Sequence, residues 1–159
     1  MLTLNFQTFQ SAHLPEMVDL WVESWALAYP DIDFEARRGW AVDTFVALAA
    51  KGVGFDLAFD ASTAAMVGFL TLDARDGHIN QVAVAKAYWG QGVADILLNR
   101  AKAMAPGLLK LEVNADNLRA IALYRRHGFV EVGRGANPNS GREIMMLEWR
   151  KVSSSNAKK

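Results

Sequence analysis

The segment Val82-Ala83-Val84-Ala85-Lys86-Ala87-Tyr88-Trp89-Gly90-Gln91-Gly92-Val93-Ala94-Asp95-Ile96-Leu97-Leu98 constrains this chain more than any other. Its first residues are short and β-compatible. Its last ones begin a run that places Val93, Ile96, Leu97, Ala101 and Met104 at helical spacing. Between them, Gly90 and Gly92 allow a sharp turn and a close approach of the backbone to a ligand. A strand that turns into a helix this way gathers free backbone N–H groups at the positive end of the helix, which suits a phosphate or pyrophosphate. Two familiar phosphate loops are excluded by inspection. The Walker pattern ends in Gly-Lys-Ser or Gly-Lys-Thr, and here Gly92 is followed by Val93-Ala94. The dinucleotide fingerprint needs a third glycine or alanine where this chain has Asp95. The plain alternative is an ordinary strand-to-helix turn.

The rest of the chain narrows the class of protein. Its 159 residues, 52% of them hydrophobic, fit one globular domain, expected over residues 1–150 with a polar tail over 151–159. Seventeen basic residues balance seventeen acidic ones, so no net field draws the chain to nucleic acid or anionic lipid. The absence of cysteine excludes disulfides, thiolate metal sites and cysteine nucleophiles. No metal site is expected. Met1-Leu2-Thr3-Leu4-Asn5 lacks the basic-then-apolar pattern of a signal peptide. No apolar run approaches the roughly 20 residues of a membrane span. A cytoplasmic location is the expectation.

Periodicity gives the element order. Leu2, Leu4 and Phe6 alternate as in a strand. Ser11 is read as the N-cap of a helix with Pro15 in its first turn, ending near Tyr29-Pro30. A second helix is read from Phe34 to Ala50, and strands over Phe55–Asp60, Ala65–Leu72 and Ile79–Ala85. The helix after the glycine loop stops at Pro106-Gly107. Leu108–Val113 reads as a strand, Asn117–His127 as a helix, and Phe129–Gly133 with Glu143–Trp149 as a final strand pair. The order β-α-α-β-β-β-α-β-α-β-β describes an α/β domain with a mixed sheet of about seven strands flanked by four helices.

A second cluster follows the glycine loop: Asn114-Ala115-Asp116-Asn117-Leu118-Arg119-Ala120-Ile121-Ala122-Leu123-Tyr124-Arg125-Arg126-His127-Gly128-Phe129. Asn117 and Tyr124 are two helical turns apart and so share a face. An amide that can bond a ligand's amides and a phenol that can donate a proton then point together. Capping by Asn117 and packing by Tyr124 are the plain alternatives.

Together the two clusters resemble the GNAT superfamily of acetyl-CoA-dependent N-acetyltransferases. Trp89-Gly90-Gln91-Gly92-Val93-Ala94 matches the family loop Gln/Arg-x-x-Gly-x-Gly/Ala, except that Trp89 stands where the family has Gln or Arg. Asn117, Ala120-Ile121-Ala122-Leu123-Tyr124 and Gly128-Phe129 match its downstream segment. The resemblance covers residues 78–133 closely. It implies transfer of an acetyl group from acetyl-CoA to a primary amine by direct attack. The amides of Gly90, Gln91, Gly92, Val93 and Ala94 would hold the pyrophosphate, with Trp89 beside them. The segment Val82-Ala83-Val84 would pair through its main chain with the pantetheine arm, in a splayed gap beside Leu109–Val113. Asn117 would bond the pantetheine, and Tyr124 would protonate the departing thiolate.

The base that takes the amine's proton stays open. His78 is one candidate, because an imidazole titrates near 6.5 and strand alternation puts His78 and Asn80 on one face with Val82 and Val84. Glu112 on the neighbouring strand is another, and Glu23 in the first helix a third. The acceptor pocket is expected to involve Trp25, Tyr29 and Asn80, with Trp21 and Trp40 nearby and with Asp31 and Asp33 able to attract a cationic amine. The acceptor is a small-molecule or peptide amine, and a homodimer could form through the edge near the last two strands. Two other classes compete: a catalytically silent acyl-CoA-binding sensor or scaffold, and a domain for another phosphorylated ligand.

Overall fold

The computed structural model describes residues 1–152. One sheet contains β1 (Leu4–Gln7), β2 (Gly54–Asp60), β3 (Met66–Asp73), β4 (His78–Val84), β5 (Leu108–Asn114), β6 (Val130–Ala136) and β7 (Glu143–Arg150). The helices are α1 (Leu14–Ala28), α2 (Arg38–Ala50), α3 (Val93–Met104) and α4 (Leu118–Arg126). The sheet order is β1-β2-β3-β4-β5-β7-β6. All neighbouring strands are antiparallel except β4 and β5, which are parallel and joined by α3. The expected α/β architecture and element order are therefore what the chain adopts. The expected tail lies largely outside the described residues.

Two local readings are corrected. Ser11 does not cap α1. It opens a 3₁₀ turn over Ser11–His13, which the Gln10 N–H ties to His13 Nδ1 at 3.0 Å, and α1 starts only at Leu14. A second 3₁₀ turn, Glu35–Arg37, precedes α2, so that helix starts at Arg38 rather than Phe34.

Each face of the sheet buries its own core. On one face α1 and α2 contribute Met17, Trp21 and Phe45 against Phe55, Leu57 and Phe69. On the other, α3 and α4 contribute Leu97, Leu98, Ile121 and Tyr124 against Leu70, Leu109, Leu111 and Leu147. Each large apolar side chain fully removed from water contributes about 1.5–3 kcal/mol. These cores hold the sheet rigid on both sides of the β4–β5 seam.

The seam is where the sheet is irregular. Leu70 pairs with Val82 but Leu72 pairs with Ile79, so Asn80 and Gln81 together oppose Thr71. This bulge adds one residue to β4 and reverses the phase of its alternation. The Gln81 N–H that the bulge frees bonds Thr71 Oγ1 at 3.0 Å. Ile79, Val82 and Val84 consequently share the α3/α4 face. His78 falls on the opposite face, which overturns the expectation that it shares a face with Val82 and Val84.

β4 and β5 pair at His78 and Lys110, and the Lys110 N–H bonds the Gly77 carbonyl at 2.9 Å. Beyond that apex the strands separate. The Ala85 N–H bonds Val67 on β3 at 2.8 Å, so ladder alternation turns the Val84 and Val82 peptide groups away from β3 and into the gap.

Candidate active site

The glycine loop opens into the gap. Gly90 and Gly92 have φ of 80° and 81°, and a Cβ at either would meet no protein atom within 4 Å. Gly92 ends the loop as the left-handed residue before α3. Among the described residues, the N–H groups of Gly90, Gln91, Gly92, Val93 and Ala94 have no protein acceptor, while the Gly92 carbonyl already takes the Ile96 N–H at 3.0 Å. Five donors at a helix N-terminus are thus left for a ligand.

Four of these residues, all but Gln91, border a cavity of about 850 Å³. Its walls include Val82, Ala83, Val84, Trp89, Gly90, Gly92, Val93, Ala94, Asn117 and Tyr124, which unites most of the cofactor-side residues named from the sequence. Gln91 is not a wall, and its side chain turns back toward the Ala87 carbonyl at 3.5 Å. Asn117 caps α4, its Oδ1 accepting the Ala120 N–H at 3.3 Å. The cap uses the oxygen and leaves the amide donors available.

Tyr124 is 8% exposed and stacks at a tilt on Phe129, 5.6 Å between ring centres. Burial pushes its phenol up to about 12. It therefore stays protonated at neutral pH, and the same shift makes it a weaker acid than a free phenol.

Trp89 is anchored rather than loose. Its indole Nε1 donates to the Val84 carbonyl at 2.9 Å, and the Arg119 guanidinium lies 3.4 Å over its ring centre. Arg119 also lines the cavity. It supplies, from α4, a positive charge beside the loop position where the family carries Gln or Arg. Sequence reasoning passed over Arg119; its place two residues after Asn117 was the available signal.

A second cavity of about 430 Å³ adjoins the first at Tyr29, which walls both. Trp21, Trp25, Tyr29 and Trp40 all line it, together with Phe34. Trp25 stacks on Tyr29 at 5.8 Å, and Trp21 meets Trp40 at 5.7 Å. The Trp21 indole N–H is buried with no acceptor among the described residues. Gln81, not Asn80, contributes from β4. Asn80 is exposed and lines neither cavity. Asp31 and Asp33 are not walls either, and Asp33 instead accepts the Ala36 N–H at 3.3 Å.

At the junction, Tyr29 donates its hydroxyl to Asp116 Oδ1 at 2.6 Å and accepts from Asn114 Nδ2 at 3.0 Å. Burial, then the bond to Asp116, raises the Tyr29 phenol to about 12. Arg142 Nη1 pairs with Asp116 Oδ2 at 3.0 Å and lies 4.6 Å over the Tyr29 ring.

The candidate bases lie elsewhere. His78 Nε2 stands 3.1 Å from both carboxylate oxygens of Glu112 on the α1/α2 face. Their hydrogen bond raises the imidazole and lowers the carboxyl from their ordinary values. Neither residue lines either of these two cavities. Glu23 Oε1 accepts the Lys86 N–H at 2.8 Å at the start of the turn before Trp89. The carboxylates that do line the first cavity are Asp95 and Asp116. Among the described residues, no three His, Asp or Glu side chains cluster to hold a metal, and no helix is long and apolar enough to cross a membrane.

Comparison with known proteins places these features. A peptidyl-lysine N-acetyltransferase, YjaB of Salmonella typhimurium, is 31% identical over 81 residues, 51% of this chain and 54% of that protein. The match thus spans about half of that relative's length. The solution structure of apo YjaB from Escherichia coli superposes with a TM-score of 0.75 at 22% identity, covering 94% of this chain and 99% of that one. The PaiA N-acetyltransferase of Thermoplasma acidophilum, solved with coenzyme A, gives 0.70 at 16% identity, covering 93% and 99%. The model of the acetyltransferase (GNAT) family matches residues 14–129, a span that holds the glycine loop, the β4–β5 gap and Tyr124. The chain belongs to the GNAT acetyltransferase family.

Proposed function

We propose that the chain is an N-acetyltransferase that moves the acetyl group of acetyl-CoA to a primary amine by direct attack. One observation carries this reading: four residues with unpaired loop N–H groups, Gly90, Gly92, Val93 and Ala94, and the Tyr124 phenol line one cavity, which meets a second cavity at Tyr29.

The residues present fit acetyl-CoA. The loop amides and Arg119 match a pyrophosphate. The Val82 peptide group, turned into the gap, offers a strand edge to an amide-bearing arm, with the Asn117 amide opposite. The Val84 carbonyl is held by Trp89 Nε1, so pairing there needs that indole to yield.

When bound, acetyl-CoA supplies a thioester carbonyl to the amine. As the C–S bond breaks, the sulfur becomes basic, with the pKa of a free thiol near 8.5, and the Tyr124 phenol donates its proton there. The amine is the harder half. A lysine-type amine has a pKa of about 10.4, so little of it is neutral at pH 7. Asp95 is engaged by His127 at 2.6 Å and Arg126 at 2.8 Å, and Asp116 by Tyr29 and Arg142. The bonds to His127 and Arg126 hold the Asp95 carboxyl below its ordinary value, and both Asp116 oxygens are already occupied. The amine therefore enters neutral from solution and returns its proton to water, and kcat/KM climbs with pH as the neutral amine does. His78 and Glu112 act as a strand tie.

Calorimetric titration with acetyl-CoA, with ATP and NAD as controls, followed by thiol release with a panel of amines, tests the function. Selective binding with amine-dependent thiol release is the expected result. Selective binding without release would point to the silent acyl-CoA-binding module, and binding of ATP or NAD alone to another phosphorylated ligand.

A further inference from the structure

We propose that the second cavity receives a compact amine that carries a carboxylate on a flat apolar body, an acceptor of aromatic amino-acid type, in preference to a polyamine or a lysine in a basic peptide. The proposal rests on the acetyltransferase reading and adds the class of acceptor to it.

The cavity's shape comes from rings. Trp21, Trp25, Tyr29, Phe34 and Trp40 form one side of a cavity of about 430 Å³, whose other side carries Gln81, Asn114 and the turn before β7; it has room for a small molecule. The rings touch one another in stacked, tilted and edge-on pairs at 5.7–6.5 Å, so the wall is one continuous aromatic surface. A flat apolar body fills such a space.

The charge is the unexpected part. The chain is neutral overall, with 17 basic and 17 acidic residues, yet this cavity is lined by Arg37 and Arg142 and by no carboxylate among the described residues. The nearby acids face elsewhere: Glu35 holds Arg38 at 2.6 Å, and Asp33 takes the Ala36 N–H. Arg142 is partly engaged by Asp116. Arg37 has no salt-bridge partner among the described residues and rests 5.2 Å over the Phe34 ring. A guanidinium in this position offers its fork to a carboxylate. Two of the five ring faces, those of Phe34 and Tyr29, already carry Arg37 and Arg142 and are closed to a cationic ligand. A polycation would meet two guanidinium groups, with Asp116 the carboxylate beside them and already engaged by Arg142 and Tyr29.

The chemistry balances with such an acceptor. The neutral amine nitrogen forms the new C–N bond, and the C–S bond breaks with its electron pair going to sulfur. Tyr124 protonates the sulfur, and the proton lost by nitrogen returns through water to Tyr124. No electrons are exchanged with an outside reagent.

The test is titration of the whole chain with phenylalanine and with phenethylamine, which differ only in the carboxylate. The quenching of Trp21, Trp25 and Trp40 fluorescence is the readout, and spermidine is the polycation control. Phenylalanine is expected to bind about tenfold more tightly than phenethylamine, the worth of one charge-assisted hydrogen bond. Arg37→Glu is expected to erase that preference and Arg37→Lys to keep part of it. Equal binding of the pair, tighter binding of phenethylamine or spermidine, no binding by either, or a preference that survives Arg37→Glu would each overturn the proposal. Thiol release from acetyl-CoA in the same samples reports separately on the enzyme. A carboxylate preference without thiol release sinks the acetyltransferase reading and leaves the pocket's chemistry standing; thiol release greatest with spermidine sinks the pocket proposal alone.

Discussion

Tyr29 donates its hydroxyl to Asp116 Oδ1 at 2.6 Å, joining the end of α1 to the loop after β5 at the point where the two cavities meet. The Tyr29 hydroxyl oxygen in turn accepts from the buried Asn114 amide at 3.0 Å. Tyr29→Phe leaves that amide without an acceptor, at a cost of about 1–3 kcal/mol. Denaturant unfolding is expected to show this loss, with thiol release falling while acetyl-CoA affinity holds. Unchanged stability would mean that the network does not hold the junction.

The ion pair of His78 and Glu112 pins the apex of the gap, and its effect on stability has a definite pH window. His78 is raised above its ordinary value, so its contribution is full below about 6.5 and fades as pH rises through the raised value. Glu112 is lowered, so its contribution is full above about 4.5 and fades as pH falls through the lowered value. Both are present near pH 5.5. Glu112→Gln is expected to destabilise most there, by less than about 1 kcal/mol because the pair is partly exposed, and hardly at all at pH 9. Its pH–rate profile is expected to match that of the parent. A neutral-pH limb that vanishes with His78→Ala would identify His78 as the base.

Gly77 closes the same apex from the turn. Its φ is 80°, and a Cβ would lie 1.9 Å from the Leu108 carbonyl oxygen, which is backbone and cannot step aside. Left-handed strain alone costs a non-glycine residue about 1–3 kcal/mol. Gly77→Ala is expected to cost more than that in thermal or denaturant unfolding, whereas Gly90→Ala, with open space around it, bears only the strain. Equal losses at the two positions would contradict the geometry.

What was legible in the sequence was local. The Gly90–Gly92 turn and the Asn117-to-Phe129 segment each signal through neighbouring residues, and both open into the cavity they implied. What was not legible depends on partners distant in the chain. The bulge at Asn80 and Gln81 exists only because of where β3 pairs, and it moves His78 and Asn80 away from the expected face. Arg119 over Trp89 joins residues 30 positions apart. The second cavity combines α1, the connection to α2 and the turn before β7, and its arginines come from segments that read as ordinary solvated loops.

Arg119 stacked on Trp89 is expected to support the pyrophosphate. Arg119→Ala should weaken acetyl-CoA binding roughly 5–20-fold by calorimetry, in line with loss of one charge-assisted contact, and should flatten its salt dependence. Equal affinity and an equal salt slope would confine Arg119 to packing.

The most direct test sets Tyr124→Phe beside Gly92→Val, with acetyl-CoA affinity and single-turnover acetyl transfer measured for each. A lone general acid contributes typically about 10²–10⁴-fold, so Tyr124→Phe is expected to lose that much in the transfer step at unchanged affinity. Gly92→Val, which forces a β-branched residue to φ 81° beside the open donors, is expected to lose affinity first. Full-rate transfer by Tyr124→Phe, or unaltered binding by Gly92→Val, would contradict the account.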